Sequence, residues 1–121
     1  MDILETVKLW SENHYFDAET RMEAKKLLAK DKNTEREECF GSLLEFGTGG
    51  LRGIMGVGTN RINRYTIQMA TEGLARLIKK KEKESGSSSV VIGYDSRHHS
   101  FEFAKVSSQV LAAHGIQVYL F

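Results

Sequence analysis

The stretch FGTGGLRGIMGVGTNRIN, residues 46–63, holds six of the eleven glycines of this chain. Glycine loses more backbone freedom on folding than any other residue, so such a cluster needs a compensating reason. Neither a helical period nor strict alternation of apolar and polar residues survives through it, which leaves a succession of turns. Two explanations fit the residues alone. Successive backbone N–H groups in a glycine turn form a nest sized for an oxyanion, and an arginine fork grips phosphate oxygens two at a time. Alternatively, a tight hairpin or bulge uses glycine for shape and arginine for solubility. From Gly47 to Thr71 there are three arginines (Arg52, Arg61, Arg64) and no acidic residue, a local charge of +3 in a chain whose net charge is +1. Nucleotide fingerprints do not fit. No Gly-Lys-Ser/Thr closes the run, and a G-x-G-x-x-G frame puts Arg52 or Arg61 where the third glycine belongs.

A chain of 121 residues is one domain's worth. Its near-zero net charge supplies no bulk field toward nucleic acid or a membrane surface. No apolar stretch reaches the length of a membrane span, and the N-terminus lacks the basic start and apolar middle of a signal peptide. The lone Cys39 cannot form an internal disulfide, which favours a reducing cytoplasm. Proline is absent altogether, which fits a chain that stops short of a whole enzyme.

Residues 1–40 read as polar and helical. Ile3, Val7 and Trp10 recur at helical spacing, Asp17 is placed to cap a helix with Leu27 and Leu28 on its buried side, and residues 30–38 form a charged connector. GSLLEF leads as a strand into the glycine run. Residues 66–84 predict a helix capped by Thr66, with Ile67, Ala70, Leu74, Leu77 and Ile78 on one face. VVIGYD, residues 90–95, predicts a buried parallel strand, and SRHHS a loop. Ser100 caps a helix carrying Phe103, Val106, Val110 and Leu111, which Gly115 closes before a last strand, IQVYLF. Strand, helix, strand, helix, strand over residues 43–121 is a βαβ pattern. Ligands bind such sheets beyond the carboxyl ends of the strands, where the glycine run and DSRHHS are expected.

Asp95, directly after a strand, is a frequent position for a catalytic or metal-binding carboxylate; Arg97 either pairs with it or reaches a ligand. The bland reading is a turn cap held by a structural ion pair. His98 and His99 are adjacent and expected to point different ways, with no third ligand at metal spacing. His14 and His114 have no partner at useful spacing. Cys39, within EREECF, lacks the cationic surroundings of a reactive thiolate.

Taken together, FGTGGLRGIMGVGTNRIN, ATEGLA, VVIGYDSRHHS and GIQVYLF resemble the first domain of the α-D-phosphohexomutases, most closely the phosphoglucomutase and phosphopentomutase branch. Members of that branch also carry a helical extension like residues 1–40. The resemblance spans residues 40–121 and implies a partial domain I over residues 41–121. That domain is a three-layer α/β/α fold with a mixed, mostly parallel sheet. It further implies a four-domain, magnesium-dependent parent enzyme, cytoplasmic, that interconverts a hexose or pentose 1-phosphate with its 6- or 5-phosphate. A phosphoserine and an activating sugar 1,6-bisphosphate carry the transfer. Arg52 is then the arginine facing the phosphoserine and the transferring phosphate, Thr48, Gly49 and Gly50 shape the turn that presents it, and Asp95 and Arg97 match G-x-D-x-R-x-x-S and support the pocket.

The departures are as informative. The phosphoserine motif T-A-S-H-N-P is absent, as are the magnesium loop D-G-D-x-D-R, the sugar-selecting G-E-x-S-G and the phosphate-gripping R-x-S-G-T-E. The expectation is the opening piece of such an enzyme, inactive alone, whose natural partners are the remaining domains and, through them, a sugar phosphate. An uncovered sheet is expected to make the isolated piece self-associate. The alternative is a stand-alone, non-catalytic phosphate- or partner-binding module of the same fold.

Overall fold

The spacing of Ile3, Val7 and Trp10 becomes the buried stripe of helix α1 (Ile3–Glu12), where Val7 and Trp10 are buried and Ile3 packs against the same cluster. The computed structural model describes residues 2–47 and 50–121 and divides into two units, Met1–Thr66 and Ile67–Phe121.

In the first unit, Trp10 is the hub. Its ring stacks on Phe16 at 4.4 Å and meets the edges of Phe40 and Tyr65 at 5.3 and 5.7 Å, contacts that add to plain area burial. Helix α2 (Ala18–Lys26) starts as expected: Asp17 Oδ1 accepts the Thr20 N–H at 2.8 Å. Leu27 and Leu28 pack against the aromatic cluster. The expected charged connector is instead a 3-10 turn (Lys30–Lys32) running into helix α3 (Asn33–Phe40). Tertiary bonds make the difference. The Arg36 guanidinium donates to the carbonyls of Leu27 and Ala29, both at 2.7 Å, and Phe40 is buried at the far end. With Phe40 its only fully buried residue, α3 shows no apolar period from which it can be read.

The strand expected before the glycine run is shorter and paired differently. Strand β1 (Phe46–Gly47) runs antiparallel to β2 (Gly50–Leu51), and the two form a sheet of their own. Helix α4 (Arg64–Ser85) follows.

The second unit holds most of α4 and a parallel pair, β3 (Ser89–Ile92) and β4 (Gln117–Leu120), in the register Val90↔Val118 and Val91↔Tyr119. Helix α5 (Ser100–Ala113) connects them, so the βαβ expectation holds for residues 89–120. Ala75, Leu111 and Ile116 form the core, with Ile78, Val90, Ile92 and Val118 packed against it. The stripe expected on α4 is rotated. Within this unit Thr71 and Ala75 are the buried positions of α4, whereas Leu74 and Leu77 are 45% and 50% exposed. Thr71, polar and therefore left out of an apolar stripe, is held inside by its hydroxyl, which donates to Ile67 O at 2.7 Å and meets Ser107 Oγ at 3.1 Å. Helix α5 closes as expected. The Ile116 N–H reaches Leu111 O and the Gly115 N–H reaches Ala112 O, with Gly115 at φ +76.

Candidate functional site

Arg52 directly follows β2 and is exposed. Among the described residues no carbonyl or carboxylate pairs with its guanidinium. Thr48 and Gly49, two of the residues expected to shape the turn, lie outside the described residues; Gly50 is described, at φ +112, in the region that favours glycine. Gly53, immediately after Arg52, needs its missing side chain for another reason: a Cβ there would stand 2.8 Å from Leu44 Cδ1 and 3.4 Å from Ile62 Cγ1. The Leu44 and Ile62 side chains thus pack close to the backbone that follows Arg52.

The other two arginines of the run differ in kind. Arg61 is turned into the protein, its side chain 14% exposed, donating to Glu38 O at 3.0 Å and Asn60 O at 3.2 Å. Arg64 lies 5.5 Å from the Tyr65 ring centroid. Of the three, Arg61 is engaged by protein carbonyls, whereas Arg52 and Arg64 are exposed and make no hydrogen bond or salt bridge among the described residues.

TNRIN, residues 59–63, is a clasp. The Thr59 hydroxyl donates to Ser42 O and the Leu44 N–H to Thr59 O, both at 2.9 Å. The Asn60 amide nitrogen donates to Glu38 O and its backbone N–H to Cys39 O. Ile62 exchanges backbone bonds with Ile54 and Gly56, and Met55 bridges Ile62. Asn63 is the centre. Its Oδ1 accepts the N–H groups of Tyr65 and Thr66 at 3.0 and 2.9 Å, and its Nδ2 donates to Gly56 O and Gly58 O, both at 2.9 Å. Asn63, not Thr66, therefore caps α4. The Thr66 hydroxyl reaches back to accept the Asn63 N–H at 3.0 Å, a reciprocal cap in which threonine stands at the usual glutamate position. The sequence did contain the signal, an asparagine just ahead of a helical period.

The second loop takes the bland geometry. Asp95 Oδ1 accepts the Arg97 N–H at 2.9 Å and Oδ2 the Arg97 Nε at 2.8 Å, with the Arg97 side chain 86% exposed. The Arg97 N–H, then its guanidinium, hold the Asp95 carboxyl below its ordinary range. Ser100 does not cap α5. It is the first helical residue, its hydroxyl accepts the Asp95 N–H at 3.1 Å, and His99, left-handed at φ 66, stands at the cap position. The two histidine rings touch instead of diverging, with centroids 3.9 Å apart, and His99 Nδ1 meets Glu102 Oε2 at 2.8 Å. His114 has a partner after all, Glu72 Oε1 at 2.7 Å from its Nε2, brought close by the fold across 42 residues. Among the described residues no three His, Cys, Asp or Glu side chains converge as a metal site requires.

The first unit thus presents an exposed guanidinium beside a glycine hairpin whose following segment is clasped by TNRIN, an arrangement suited to positioning an oxyanion. Residues 43–121 match the family model of phosphoglucomutase/phosphomannomutase, alpha/beta/alpha domain I. The phosphoglucomutase of Staphylococcus haemolyticus (strain JCSC1435) is 48% identical over 87 residues, 72% of this chain and 15% of that protein. The phosphopentomutase of Homo sapiens is 38% identical over 103 residues, 80% of this chain and 17% of its own length. No solved structure matches. The chain belongs to the phosphoglucomutase/phosphomannomutase family, its residues 43–121 matching domain I. It spans about a sixth of the length of these relatives.

Proposed function

We propose that this chain supplies the phosphate-facing hairpin of a phosphohexomutase, an intramolecular phosphotransferase interconverting a hexose or pentose 1-phosphate with its 6- or 5-phosphate through a phosphoserine and a sugar bisphosphate. The observation that carries the reading is the guanidinium of Arg52, exposed and free of protein partners among the described residues while Arg61 beside it is consumed structurally. A transferring phosphoryl group spreads negative charge over its equatorial oxygens, and a fixed arginine stabilises that charge without donating a bond of its own. On the resemblance, Thr48 and Gly49 are assigned with Gly50 to the turn that presents Arg52, and Asp95 and Arg97 support the pocket. Residues 1–40 serve as the extension and 41–121 as a partial domain I whose parallel pair belongs to a three-layer, mostly parallel sheet. Magnesium, which neutralises phosphate charge in such enzymes, finds no ligand set among the described residues.

By itself the chain is inactive, because no serine in it lies in a T-A-S-H-N-P loop. It self-associates through the apolar sheet face where Val91 and Tyr119 are 62% and 49% exposed, which light scattering over a concentration series tests. The site itself is tested by NMR titration of the chain with inorganic phosphate and glucose 1,6-bisphosphate. Amides flanking Arg52 should shift on addition, and Arg52→Ala should abolish the response. A response that survives Arg52→Ala, or turnover by the purified chain, overturns the reading.

A further inference from the structure

We infer that Asn63 is a positioning residue for Arg52, setting the place of a guanidinium eleven positions earlier in the chain. The inference rests on the phosphate reading for its purpose but not for its mechanics. Asn63 uses all four hydrogen-bonding sites of its carboxamide at 3.0 Å or less, and they fall into two functions. The oxygen caps α4; the nitrogen ties down the carbonyls of Gly56 and Gly58. The orientation of the amide is unambiguous, since two N–H donors face its oxygen and two carbonyls face its nitrogen.

From those carbonyls the restraint runs to Arg52 in short steps. Gly56 donates its N–H to Ile62 O at 3.2 Å, and Ile62 donates to Ile54 O at 2.8 Å, so residues 54–56 are laced to the residue preceding Asn63. Gly53, which Arg52 precedes, packs against the Leu44 and Ile62 side chains, a Cβ there falling 2.8 Å from Leu44 Cδ1 and 3.4 Å from Ile62 Cγ1. At the other end, Gly58 lies at φ +125 directly over the Cys39 carbonyl, so the loop has no slack there to absorb a shift. Releasing the Asn63 amide nitrogen frees the Gly56 carbonyl and leaves the Gly58 carbonyl only the longer bond from the Arg61 N–H at 3.3 Å, in a glycine-rich segment with few side chains to hold it. A helix start and the hairpin's arginine are thereby coupled through one side chain.

Serine separates the two functions. Asn63→Ser keeps a good helix cap but carries no donor long enough for the two glycine carbonyls, and it adds no charge that would itself repel an anion. Asn63→Ala removes both. The first measurement is 15N relaxation of Leu51, Arg52 and Gly53 in the ligand-free chain. In Asn63→Ser the order parameters of these amides should fall from the rigid range toward about 0.6 or below while the amides of α4 stay unchanged. The second is the phosphate titration, in which Asn63→Ser should weaken the Arg52-dependent response by about tenfold, the worth of two lost amide bonds. Adding Asn63→Ser to Arg52→Ala should cost nothing further. If Arg52 keeps its order in Asn63→Ser, the inference is overturned whatever phosphate does. If Arg52 loosens but wild type shows no response to phosphate, the inference holds and the phosphate reading fails.

Discussion

The Tyr65 hydroxyl donates to Asp17 Oδ2 at 3.0 Å and accepts the Asp17 backbone N–H at 2.8 Å, joining the starts of two helices that are 48 residues apart. The same ring fills the edge of the Trp10 cluster. Tyr65→Phe should keep the ring and lose both bonds, costing about 1–3 kcal/mol and lowering the thermal midpoint by several degrees. Calorimetry measures this; an unchanged midpoint would show the pair to be idle.

Four carboxyls sit below their ordinary values in the folded chain. At Asp17, burial pulls upward but is outweighed by bonds from the Thr20 N–H and the Tyr65 hydroxyl. Glu72 is lowered by His114 first and then Arg76, Glu82 by Lys79, and Asp95 by Arg97. A depressed folded-state value means stability that is present above the ordinary values, 3.8 for the aspartates and 4.5 for the glutamates, and lost as pH falls through them. Urea unfolding should give a midpoint that drops between about pH 5 and pH 3. Glu72→Gln should flatten that drop, and an unaltered slope would remove Glu72 from the account.

Two glycines predict opposite outcomes of one substitution. At Gly58, φ is +125 and a Cβ would run into the Cys39 carbonyl, so Gly58→Ala should cost more than about 2 kcal/mol. Gly73 lies within α4 with open space around it, and Gly73→Ala should stabilise by about 0.5–1 kcal/mol. Paired denaturant curves settle both.

Arg52 and Arg61 should part in the same way. Arg52→Ala should leave stability within about 0.5 kcal/mol and, in the full-length protein carrying these residues, lower kcat by about 100- to 1,000-fold. Arg61→Ala should destabilise by about 1–3 kcal/mol through the lost bonds to the Glu38 and Asn60 carbonyls and the lost packing of a largely buried side chain, and Arg61→Lys should not restore it. Equal stability losses for both would erase the distinction between them.

What could be read in advance followed from local rules. The Ile3–Val7–Trp10 stripe, the Asp17 cap, the extended runs of β3 and β4 and the Gly115 closure each need only neighbouring residues. What escaped depends on partners distant in the chain. Helix α3 is fastened by Arg36 to carbonyls seven and nine residues back. The α4 stripe is turned by a buried threonine that finds a serine on α5. His114 finds Glu72 only once both helices are packed. In the candidate site, Arg52 stood out because an arginine amid glycines has no local use, whereas Asn63 hid because its importance lies in four bonds rather than in its charge. At Asp95 the turn geometry that residue types suggested is the one that formed.

Cys39, the sole sulfur nucleophile in the chain, lends its carbonyl to Asn60 directly beneath Gly58 and is only partly covered. Nature has left a gauge there: the pace at which a thiol reagent finds that sulfur, set against the pace in denaturant, times how often the glycine segment lifts from its seat.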